Sequence, residues 1–83
     1  MSQNGTIVLI DARTGRLGLQ VADGSYLLAE QLDVQPLRVG VSLSGQMEAL
    51  GIETLTDAHA HAAYSVFILA YGLSLEAVEQ ELR

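Results

Sequence analysis

The chain contains no cysteine, no tryptophan and no lysine, and only one proline. Without cysteine there is no disulfide scaffold, thiolate zinc site, iron–sulfur cluster or thiol nucleophile. Its basic residues are four arginines, set against ten acids, for a formal net charge of −6 at pH 7. That balance argues against nonspecific nucleic-acid or anionic-membrane binding, both of which run on clustered Lys and Arg. Charge is scarce overall, at 17% of residues, where a soluble domain usually carries roughly a quarter. Long hydrophobic runs are missing too. Ile7-Val8-Leu9-Ile10 and Val66-Phe67-Ile68-Leu69-Ala70 fall far short of the roughly 20 residues a spanning helix needs. Met1-Ser2-Gln3-Asn4-Gly5 has no basic region of the kind that opens a signal peptide. The expectation is a cytoplasmic chain with no membrane segment.

What is present is apolar. Hydrophobic residues make up 49% of the 83, and mean hydropathy is +0.30. A chain of this length holds one core and leaves much of its surface in water. A single domain over 1–83 is therefore expected, strand-rich from 5 to 71 with a C-terminal helix over about 74–83. With so few charges to cover it, some apolar surface should face a partner.

Thr6–Asp11 is a β-branched apolar run that reads as a buried strand. Leu17, Leu19 and Val21 alternate with Gly18, Gln20 and Ala22, a strand with one face inward. Asp23-Gly24 then marks a tight hairpin, and Ser25–Leu32 is its return strand, although Leu27–Leu32 also suits a helical turn. Pro36 breaks that element. Leu37, Val39, Val41 and Leu43 give the clearest alternation in the chain, and Ile52–Thr56 a further strand. Residues 57–72 support two readings. Asp57 caps a helix that stops at Gly72, or Asp57–His61 is a loop and Ala63–Tyr71 a returning strand. The β-branched and aromatic residues there favour the strand. Ser74 is placed to cap a final helix, with Leu75, Val78 and Leu82 as its apolar stripe.

Gly5-Thr6-Ile7-Val8-Leu9-Ile10-Asp11-Ala12, then Gly15-Arg16-Leu17-Gly18-Leu19, then Asp23-Gly24 follow the order in which cold-shock domains open. Over residues 5–24 the chain thus resembles that family of OB-type small barrels. The resemblance implies a barrel. The family's nucleic-acid face uses aromatics and lysines on its first two strands, where this chain has Val8, Leu9, Ile10, Leu17 and Leu19, so no binding residue is carried over. The fold class expected is α+β and mainly β: a small antiparallel sheet or OB-like barrel of five to six strands with one C-terminal helix.

Three functional readings follow. The leading one is a non-enzymatic module that binds another protein or a second copy of itself. Its candidate faces are Leu37, Val39, Val41 and Leu43, or Tyr64, Val66 and Ile68. The second is single-strand nucleic-acid binding through Arg13, Arg16 and Arg38, without the stacking aromatics such binding ordinarily uses. The third is a metal site at Asp57, His59 and His61. On a strand these three project from one face, and two imidazoles with a carboxylate suit zinc or iron. No cofactor is expected under the first two readings. Catalytic templates lack their parts: Ser42, Ser44 and Ser65 have no Gly-x-Ser-x-Gly setting, and the glycines form no phosphate-binding fingerprint. Glu48 and Glu53, either side of Gly51, read as solvated carboxylates, and an enzyme is not expected.

Overall fold

A computed structural model describes residues 3–57 and 59–82. Met1, Ser2, Ala58 and Arg83, which enter the N-terminal, Asp57–His61 and C-terminal readings above, lie outside the described residues. The strands are β1 (Gln3–Asp11), β2 (Arg16–Val21), β3 (Tyr26–Gln31), β4 (Ser42–Gly45), β5 (Gly51–Asp57) and β6 (Ala62–Leu73), followed by the helix α1 (Leu75–Glu81). They close into a barrel in the order β1-β2-β3-β6-β5-β4, every neighbouring pair antiparallel. The architecture is that of a small OB-like barrel, without an aromatic cluster among the described residues. It is assembled from two three-stranded meanders joined along β1–β4 and β3–β6.

The period-two patterns decide what fills it. Leu17, Leu19 and Val21 of β2, Leu27 and Ala29 of β3, Leu55 of β5, and Tyr64, Val66 and Ile68 of β6 all point inward. Ile7, Leu43 and Met47 complete this core. Each fully buried Val, Leu, Ile or Met side chain among them contributes roughly 1.5–3 kcal/mol through removal from water. Met47 comes from the β4–β5 connection and lies against Gly5, where an added Cβ would meet its Sδ at 3.0 Å.

Leu27-Leu28-Ala29 are buried in succession because β3 is covered on both faces. Leu28 points outward, on the side where α1 packs. Ser74 caps that helix, its Oγ accepting the Ala77 N–H at 3.2 Å. Val78 is fully buried, whereas Leu75, expected in the same stripe, is 40% exposed.

Residues 57–72 follow the favoured strand reading and not the helical alternative: a turn after Asp57 leads into β6, which runs from Ala62 to Leu73, slightly longer than expected and bent by register shifts opposite Tyr26–Ala29. One sequence expectation is revised. The Leu37–Leu43 alternation is not one strand. Arg38–Val41 is a turn in which the Val41 N–H reaches the Arg38 carbonyl at 3.3 Å and Gly40 takes φ +98°. The turn rotates Val39 outward, while Leu37 and Val41 pack on the core.

Candidate functional site

A ladder of directly opposed residues crosses five strands on the outside of the barrel. Asp11 faces Arg16, Arg16 faces Glu30, Glu30 faces Phe67, and Phe67 faces Ile52. Side chains so opposed lie about 4.5–5.5 Å apart at Cβ. The ladder is charged over β1–β3 and apolar over β6–β5. Arg16 Nε stands 3.9 Å from Glu30 Oε1, and that nitrogen is buried with no hydrogen-bond partner among the described residues.

From its apolar end the uncharged surface continues along both strands. The outward residues of β5 are Ile52, Thr54 and Thr56, and opposite them on β6 stand Phe67, Ser65 and Ala63. No member of this six-residue face carries a charge, although the chain holds ten acids. Ile52 is 70% exposed, Phe67 40%, and the adjoining Leu50 65%. Two large apolar side chains side by side, bordered by threonine, serine and alanine, make a surface with little affinity for water.

The candidate interface residues separate by strand parity. Tyr64, Val66, Ile68 and Leu43 are buried in the barrel, Leu37 and Val41 are partly buried against it, and Val39 alone of that group is largely exposed. The exposed apolar side of β6 is therefore the opposite one, carrying Phe67. Sequence reasoning passed over Phe67 because its neighbours Val66 and Ile68 are equally apolar, and over Ile52 because Leu55, of the opposite parity, is the other large apolar residue of its strand. The signal available was Thr54 and Thr56 two and four residues after Ile52, with Ser65 two before Phe67.

The arginines are placed beside carboxylates. The Arg13 N–H donates to Asp11 Oδ1 at 3.0 Å and its Nε approaches the same oxygen at 3.5 Å. The backbone bond is the largest influence holding the Asp11 carboxyl below its ordinary 3.8. Arg16 faces Glu30 across the β2–β3 ladder. Arg38 belongs to the 32–41 connection. Arg13 and Arg16 thus each have an acid next to them, which weakens any positive field they offer to a phosphate backbone.

Asp57, His59 and His61 lie in and beside the β5–β6 turn. Asp57 Oδ1 accepts the His59 N–H at 2.9 Å and the Ala60 N–H at 3.4 Å, so the carboxylate organises the turn. Among the described residues no group of three or more His, Cys, Asp or Glu side chains is placed to hold a metal ion.

Asp33 is a polar hub on the connection after β3. Its Oδ2 accepts the Ser65 N–H at 2.8 Å, and its Oδ1 accepts Gln31 Nε2 at 2.6 Å and the Gln35 N–H at 3.2 Å. Partial desolvation works to raise the carboxyl's pKa. The bonds from Ser65, Gln31 and Gln35 together outweigh it and hold Asp33 below 3.8.

A concave region of about 380 Å³ lies between α1 and strands β3 and β6, lined by Leu28, Leu69, Ala70 and Leu73. No helix among the described residues is long and apolar enough to cross a membrane. Comparison with protein-family models, curated proteins and solved structures finds no match.

Proposed function

We propose that this chain is a non-enzymatic protein-interaction domain that associates with a second copy of itself through the outer face of β5 and β6. The observation that carries the reading is the uncharged strip of Ile52, Thr54, Thr56, Ala63, Ser65 and Phe67, with its two large apolar side chains in water. A surface of that kind loses unfavourable hydration when covered. Like copies of a chain with net charge −6 repel one another. A contact free of acids is the place where that repulsion is least, and a shared patch closes as a two-fold dimer.

The test is the mass of the protein in solution against concentration, for the native chain and for Phe67→Ser. The native chain is expected to form a dimer that strengthens with salt. The variant, whose side chain is not in the core, should fold and associate at least about tenfold more weakly, as truncating a large interfacial aromatic commonly does. Equal association of the two proteins would contradict the assignment to this face.

A further inference from the structure

The barrel is open beside its helix. Val78, the buried residue of α1, seats in the gap that Gly18 leaves on β2. Next to that contact both α1 and β6 present a small residue, Ala77 and Ala70, and the space they leave unfilled is the cavity of about 380 Å³. A cavity of this size falls in the range that small ligands occupy. Leu28, only 4% exposed, backs it, and Leu69 and Leu73 extend the apolar wall.

The polar wall comes from Arg16 on β2 and from Gln80 and Glu81 at the end of α1. Arg16 has donors to spare. Its 3.9 Å approach to Glu30 is too long for a hydrogen bond, and its buried Nε has no partner among the described residues. The side chain is 37% exposed, so the outer nitrogens of its fork can meet a carboxylate. Glu81 lines the same space without pairing with Arg16: among the described residues the ion pairs are Arg13–Asp11 and Arg16–Glu30. The last turn of α1 carries no basic residue, so its carbonyl ends add to the negative charge of Glu81.

One guanidinium and one carboxylate on the same cavity, unpaired with each other, complement a ligand that carries both charges. A simple anion would meet Glu81, Glu30 and the field of a chain with net charge −6, and a simple cation would meet Arg16. A zwitterion is neutral overall, and the net field does not oppose it. The leucines require an apolar body attached directly to those charges. We infer that this cavity binds a free aliphatic α-amino acid, with its carboxylate on Arg16, its ammonium on Glu81 and its side chain over Leu28, Leu69 and Leu73. A peptide does not offer this chemistry, because its two charged ends sit on different residues. None of the lining residues belongs to the strip from Ile52 to Phe67, and the inference does not depend on the association proposed above.

The experiment is titration of the full chain with L-leucine, followed through backbone amide chemical shifts. Signals of Leu28, Ala70, Ala77 and Gln80 should move and approach saturation by about 10 mM, since a ligand of this size can reach millimolar affinity. N-acetyl-L-leucine lacks the ammonium and L-leucinamide lacks the carboxylate. Each should bind at least about tenfold more weakly, the loss expected for one charged hydrogen-bonding group. Arg16→Gln should weaken leucine binding by a similar factor. If that variant fails to fold, Glu81→Gln at the exposed end of α1 takes its place. The absence of a saturable shift at these residues overturns the site. Equal binding of N-acetyl-L-leucine, or unaltered leucine binding in the folded variant, overturns the amino-acid assignment.

Discussion

Gly18 and Val78 touch so closely that a Cβ on the glycine would stand 2.6 Å from Val78 Cγ1. The outer face of β2 therefore has no side chain where α1 crosses it, and the helix fits into that gap. Leu9, opposite Gly18 on β1, and Leu82 at the helix end lie within 4 Å of the same point.

Gly18→Ala should consequently lift or displace α1. Overpacking of this kind costs about 1–3 kcal/mol, read as a fall in the denaturant midpoint with the slope unchanged. Wild-type stability in the variant would mean that α1 does not rest on β2.

Asp33 makes stability acid-sensitive. Its folded-state pKa is below 3.8, and its hydrogen bonds require the ionised form. Its contribution is therefore present above the unfolded pKa and is lost as pH falls through the folded one. Asp33→Asn should be less stable than the native chain at pH 7 and should lose less stability between about pH 5 and pH 2. Parallel pH profiles for the two proteins would contradict the hub. Asp11 and Asp23, lowered by their bonds to Arg13 and Ser25, supply the acid dependence that remains.

His61 takes φ +51° in the β5–β6 turn, a region that costs a residue with a Cβ roughly 1–2 kcal/mol. His61→Gly should raise the melting temperature, the relief being partly offset by glycine's greater freedom in the unfolded chain. A lower melting temperature would show that the His61 side chain holds the turn.

With Asp57 committed to turn amides, added zinc should leave the melting temperature of the native chain unchanged. A zinc-dependent rise that His59→Ala abolishes would restore the metal reading.

Much of the barrel is legible in the residues, and the reasons are local. The alternation of Leu17, Leu19 and Val21 sets β2's inward face, and Ser74 sets the start of α1. Residues 57–72 admit a helix because the alanines around His59 carry no period, but the β-branched and aromatic residues of 64–71 favour the strand, and the pairing of β6 to both β3 and β5 agrees with them. The turn at Arg38–Val41 is hidden inside an apolar alternation that survives it. The candidate site was the least legible part. Whether Ile68 or Phe67 faces water depends on which parity the barrel buries, and that is a property of closure and not of the segment.

The measurement that bears most directly on the account is light scattering across a wide concentration range, at low and at high salt. A reversible dimer, tighter at high salt and lost in Ile52→Lys, is the predicted result. A monomer throughout, or a dimer indifferent to Ile52→Lys, would contradict association through β5.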